Sequence, residues 1–109
     1  MTLEVILEAL QKALIGKVFY VQYLRSPNQP LKKRSPLCRL DGDIIVEPQR
    51  IVLDCQVAPG SHELPVRLMH LEGEQLLAQE TLPNGDHIVR VSFIEDAYYE
   101  YVVPSQQVA

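Results

Sequence analysis

The sequence predicts an α+β fold: an N-terminal α-helix packed on a curved antiparallel β-sheet, or a small partly open barrel, of about five to six strands. Three observations carry this reading. One apolar stripe at helical spacing opens the chain, alternating and β-branched segments fill most of the rest, and turn residues separate them at short intervals. The 109 residues make a single domain, with the helix over 2–15, strands within 17–103 and a long basic loop over 25–39.

The helix is the clearest element. Leu3, Ile6, Leu7, Leu10 and Leu14 fall on one stripe, with Glu4, Glu8, Gln11 and Lys12 mostly on the other side. Thr2 is placed to cap the N-terminus, Glu4 suits the positive end of the helix dipole, and Gly16 stands where a C-terminal glycine cap belongs. Burying five such side chains is worth roughly 8–15 kcal/mol before entropy is subtracted. A helix this short does not persist alone in water, so it must dock on the sheet.

The first strand follows at once. "KVFYVQYL" (17–24) is rich in valine and aromatics, with Phe19, Val21 and Tyr23 on one face. After the loop come "DIIVEP" (43–48) and "RIVLDCQV" (50–57), with Pro48 either interrupting one strand or separating two. Ile51, Leu53, Cys55 and Val57 alternate against Arg50, Asp54 and Gln56, the pattern of a sheet with one wet face; Val52 is the apolar exception. "ELPVRLMHL" (63–71) and "EQLLAQETL" (74–82) flank Glu72-Gly73-Glu74 and read most simply as a hairpin, with helix in the second segment as a minor alternative. Pro83-Asn84-Gly85-Asp86 is the strongest short-range turn signal and makes "HIVRVSFI" (87–94) the partner of the strand before it. "AYYEYVV" (97–103) is a last strand, stopped by Pro104.

Composition limits what such a chain does. At 47% apolar and 22% charged residues it is globular and not disordered. Its apolar runs are a few residues long, far below the roughly 20 that cross a bilayer, so no membrane partner is expected. "MTLEVILEALQK" lacks the basic segment of a secretory signal, which points to a cytoplasmic location. Cys38 and Cys55 form no Cys-x-x-Cys pair and read as two partly buried thiols in a reducing compartment.

The search for chemistry finds little. His62, His70 and His87 form no metal-binding spacing; His62 follows a turn, and His70 and His87 fall in adjacent hairpins where they could pair across the sheet. Asp41 and Asp43 bracket Gly42, and Glu72 and Glu74 bracket Gly73, as acids that solvate turns do. There is no Gly-rich phosphate loop, nucleophile elbow or dinucleotide fingerprint. The expectation is therefore a protein that is not an enzyme, with no catalytic residue, metal ligand or cofactor to name.

Charge is the informative asymmetry. Residues 25–39 hold Arg25, Lys32, Lys33, Arg34 and Arg39 and no acid, so this segment is +5 and the remainder −9 in a chain of net charge −4. Prolines 27, 30 and 36 keep it extended. These five residues are the expected anionic contact. Tyr99 and Tyr101, on one side of the last strand, form a second expected surface for a protein partner or a second copy, since aromatics concentrate at interfaces. The bland alternative is a hairpin tip whose lysines keep it soluble and a strand whose tyrosine hydroxyls reach water.

The helix followed by "GKVFYVQYL" is similar to the opening of Sm-like RNA-binding barrels, which also begin with a helix and continue as five curved strands. The likeness covers about the first quarter of the chain. Where that family closes on an Arg-Gly signature this sequence reads "IVRVSF", with Val91 after Arg90, so the order of elements speaks for a curved sheet and assigns no function.

The functional expectation is a non-enzymatic accessory or adaptor domain that binds another macromolecule, foremost a protein, through the basic Pro-rich loop and the tyrosine strand. The alternative is a small nucleic-acid-binding protein contacting phosphates through the same loop; no aromatic within 25–39 stacks on bases, and the acidic body opposes a polyanion. A third reading is a small barrel holding an apolar ligand.

Overall fold

The computed structural model describes residues 3–25, 34–57, 66–94 and 97–107, and all that follows concerns these. Helix α1 (Leu3–Leu14) buries Ile6, Ala9, Leu10 and Leu14, while Leu3 and Leu7 pack on the margin of the same core. The apolar stripe thus docks as its spacing requires. Gly16 ends the helix at φ 72°, a conformation that costs glycine nothing, and the Lys17 N–H returns to the Leu14 carbonyl at 3.0 Å. The expected cap, Thr2, lies outside the described residues.

Eight strands follow: β1 (Tyr20–Arg25), β2 (Cys38–Leu40), β3 (Ile45–Glu47), β4 (Arg50–Val57), β5 (Val66–Leu71), β6 (Gln75–Thr81), β7 (His87–Ile94) and β8 (Ala97–Val103). All pairings are antiparallel, in two sheets. One runs β1-β8-β7-β6. In the other, β4 pairs with β5 along one side and with β2 and β3, end to end, along the other. The α+β architecture, a helix on curved antiparallel sheet, is as the sequence predicts.

The strand count exceeds five to six for two physical reasons. The chain around Gly42 leaves the ladder, which splits one edge into β2 and β3. The expected loop over 25–39 is also shorter at both ends, because β1 runs to Arg25 and β2 starts at Cys38. Phe19 and Cys38 exchange both backbone hydrogen bonds, at 3.0 and 2.8 Å, and the Ser35 N–H donates to the Val21 carbonyl at 2.8 Å. That short pairing joins the edges of the two sheets. Together they form one curved run from β6 through β1 to β5, with α1 packed against β7, β6 and β4.

The chain closes the circuit at Leu71–Glu74, where the hairpin expectation is corrected. Among the described residues β5 and β6 share no ladder: β5 pairs with β4 and β6 with β7. The turn, with the Glu74 N–H on the Leu71 carbonyl at 3.2 Å, redirects the chain from one sheet to the other. The side chain of Glu74 holds that turn, as described below. His70 and His87 consequently stand in different sheets and do not pair.

Pro48-Gln49 is a two-residue turn between β3 and β4, with Gln49 at φ 64°, so Pro48 separates two strands. The β6–β7 hairpin forms as "PNGD" predicts, in the register Thr81↔His87. Its Gly85 has φ 93°, and a Cβ there would stand 2.9 Å from the Cβ of Ser105. Backbone conformation and space therefore both require glycine. Gly85→Ala is expected to cost roughly 1–3 kcal/mol, read as a lower urea midpoint with an unchanged slope.

Candidate functional site

The register of β1, β8 and β7 sorts their side chains cleanly. Phe19, Val21, Tyr101, Val103, Val89 and Val91 point into the core, so the intervening residues form the outer face. By register that face has three rows: Tyr20, Val102 and Ile88; then Gln22, Glu100 and Arg90; then Leu24, Tyr98 and Ser92. Val102 and Ile88 are buried although they face away from the core, so the apolar groups that this face leaves partly exposed are Tyr20, Leu24 and Tyr98.

The middle row is polar but internally neutralised. Gln22 Nε2 donates to Glu100 Oε1 at 2.5 Å, and Arg90 Nε donates to Glu100 Oε2 at 2.8 Å. Arg90 Nη1 then reaches Glu80 Oε1 on β6 at 2.6 Å. Glu100 is 7% exposed, and these two donors are what make a carboxylate tolerable there. The face therefore offers tyrosine rings and aliphatic surface around a satisfied ladder.

Arg34 of the basic segment lies against this face. The Arg34 guanidinium lies 4.4 Å from the centroid of the Tyr20 ring, a cation–π contact. Ser35 fastens the chain beside it, its hydroxyl accepting the Val21 N–H at 2.8 Å and donating to the Pro36 carbonyl at 3.0 Å. Arg25 ends β1 opposite Ala97, Lys32 and Lys33 lie outside the described residues, and Arg39 stands on β2 opposite Gln56, in the other sheet. Of the cations the sequence groups, Arg34 is placed against Tyr20 on the outer face, while Arg39 belongs to a strand of the other sheet.

The tyrosine expectation is corrected. β8 lies between β1 and β7, so it presents no free edge. Tyr101 is fully buried and Tyr99 half-buried on the inward side; Tyr98 is the one that faces outward. Tyr101 instead belongs to a hydrogen-bonded run through the interior. Its hydroxyl is 2.6 Å from His70 Nε2, and His70 Nδ1 is 2.6 Å from Glu74 Oε2. The other Glu74 oxygen accepts the Leu71 N–H at 3.1 Å. One proton arrangement satisfies every atom: the tyrosine donates to the imidazole, and the imidazole N–H donates to the carboxylate.

Around that run the rings of Tyr23, Tyr99, His70, Tyr101 and Phe19 meet in succession, with centroid separations between 5.5 and 6.3 Å. Sequence reasoning missed the His70–Tyr101 link because nothing local brings two strands of different sheets into register. The two thiols are also close, both free and buried on neighbouring strands. The hydrogen bond with Cys38, reinforced by burial, pushes the Cys55 thiol up, while bonding with Cys55 and then Ser35 lowers Cys38 against its burial. Among the described residues, no three His, Cys, Asp or Glu side chains converge in a way that would hold a metal ion, and no helix is long and apolar enough to cross a membrane.

No protein-family model matches the chain, and comparison with characterised proteins and with solved structures finds no match either.

Two measurements probe the interior run. Tyr101→Phe leaves the His70 Nε2 acceptor buried without its donor and is expected to cost about 1–3 kcal/mol in urea unfolding. Burial holds the Tyr101 phenol well above its ordinary value, favouring the neutral form in the folded chain. Its stabilising effect is therefore complete below the unfolded-state value of about 10 and is lost as pH rises past it. Absorbance at 295 nm should show a tyrosine that ionises only as the chain unfolds, a step absent from Tyr101→Phe.

Proposed function

We propose that this chain is a non-enzymatic binding module. It takes an acidic, partly apolar protein segment on the outer face of β1, β8 and β7, beside Arg34. The observation that carries the reading is the seat of Arg34 on Tyr20, with Ser35 tied to β1, which keeps a positive charge at the margin of a face whose partly exposed apolar groups are Tyr20, Leu24 and Tyr98. An interface core of aromatic and aliphatic groups with charge at its rim is the usual anatomy of a protein contact.

The nucleic-acid reading is less favoured on the same ground. One face of the Tyr20 ring is covered by Arg34 and so withdrawn from base stacking. The apolar-ligand reading gains no support from the interior, where Phe19, Tyr101, Leu10, Leu14, Ile51 and Val89 are packed together.

The test is fluorescence anisotropy with two labelled probes, a short Glu-rich peptide carrying Leu and Tyr and a single-stranded RNA of similar length, each at low and physiological salt. The peptide is expected to bind, and Tyr98→Ala to weaken it about tenfold, the effect of losing a moderate anchor worth ~1.4 kcal/mol. Lys32→Glu, Lys33→Glu and Arg34→Glu combined, with the fold checked by circular dichroism, should abolish that binding. RNA binding that falls steeply with salt, is lost in the triple variant and is indifferent to Tyr98→Ala would overturn this reading in favour of phosphate contact.

A further inference from the structure

A cleft of about 540 Å³ opens where the end of α1, the β6–β7 hairpin and the segment after β8 meet. Its volume is that of a small-molecule site. Ala13, Val103 and Pro104 contribute its apolar part, and Lys12, Lys17 and His87 bring three basic groups to it. None of the described lining residues is acidic, in a chain whose net charge is −4.

The cleft is built, not incidental. Gln107 straps its far wall: its amide oxygen accepts the Val18 N–H at 2.5 Å, and its nitrogen donates to the carbonyls of Val18 and Pro104 at 3.1 and 2.8 Å. The hairpin is locked to the same wall, the Ser105 N–H donating to Asp86 Oδ1 at 2.9 Å with Gly85 allowing the close approach. Asp86 is thereby occupied, its other oxygen accepting from the Asn84 amide at 3.2 Å.

The two lysines, by contrast, are uncommitted. Among the described residues Lys12 and Lys17 form no ion pair, and Glu8, one turn before Lys12, does not come within pairing distance. His87 Nδ1 is 3.1 Å from the Thr81 hydroxyl, and its second ring nitrogen has no hydrogen bond among the described residues. A lysine in the last helical turn suits the helix dipole, which accounts for Lys12 alone. It accounts neither for Lys17, beyond the helix, nor for the imidazole of β7 brought to the same space.

We propose that this cleft binds a small organic oxyanion, a phosphomonoester or a carboxylate on a short apolar body. Lys12, Lys17 and His87 hold the charged oxygens, and the apolar part rests on Val103 and Pro104. The site is separate from the outer face of β1, β8 and β7 and stands or falls without it.

The test is a titration of the isotope-labelled full chain, followed by amide chemical shifts, with phenyl phosphate, benzoate and inorganic phosphate as probes. Phenyl phosphate or benzoate is expected to give saturable shifts at Lys17, Gly85, His87 and Ser105; whichever binds tighter assigns the phosphomonoester or the carboxylate. Lys12→Gln and Lys17→Gln should each weaken binding about tenfold or more, the loss of one charge-assisted hydrogen bond. Both lysines are exposed, so the fold should survive, which thermal unfolding checks. Arg67→Gln, removing the same charge from a residue that does not line the cleft, should leave binding unchanged. The proposal is overturned if neither organic probe saturates at millimolar concentration, if the lysine variants bind as wild type, or if inorganic phosphate binds as tightly as phenyl phosphate.

Discussion

The contact between the Tyr101 hydroxyl and His70 is the constraint around which the rest of the molecule is arranged. It crosses from β8 in one sheet to β5 in the other, inside the core, and neither residue has any solvent exposure. Each polar atom in it depends on the next: the imidazole needs the Glu74 carboxylate on its other nitrogen, and that carboxylate also holds the Leu71 N–H at the turn. A partly satisfied network in so low a dielectric would cost more than none. The position of the turn, the angle between the sheets and the placement of Tyr101 are therefore set together. The Phe19–Cys38 pairing then joins the sheets at their other meeting point.

Closing the interior in this way moves the capacity for recognition outward. The outer face of β1, β8 and β7 neutralises its own ladder from Gln22 to Glu80, leaving rings and aliphatic surface with Arg34 at the margin. The cleft beneath α1 gathers Lys12, Lys17 and His87, with the Asp86 carboxylate held by the Ser105 N–H at its wall. A chain that is acidic on average thus places basic groups locally, and local field rather than net charge governs what approaches them.

Much of the fold was legible because local physics decides it. The stripe from Leu3 to Leu14 became α1, "PNGD" became the β6–β7 turn, and the alternation of Ile51, Leu53 and Cys55 became the buried side of β4. Val52, the exception to that alternation, is buried on the opposite side, in register between Ile45 and Met69. The misreadings share one cause. Glu72-Gly73-Glu74 has the residues of a hairpin turn, yet the strands beside it find other partners, and a turn's composition cannot say which partners its strands will take.

The sequence by itself determined the helix, most of the strands and their order, the buried side of β4 and the uneven distribution of charge, since periodicity, turn chemistry and side-chain type act over a few residues. Tertiary structure alone decided that Tyr101 faces a histidine and not a partner, that Arg34 seats on Tyr20 while Arg39 joins a strand of the other sheet, and that Lys12, Lys17 and His87 share one cleft. Each of those outcomes depends on pairing between segments far apart in the chain. Such pairing is settled by the packing of the whole core, and no short stretch of sequence contains it.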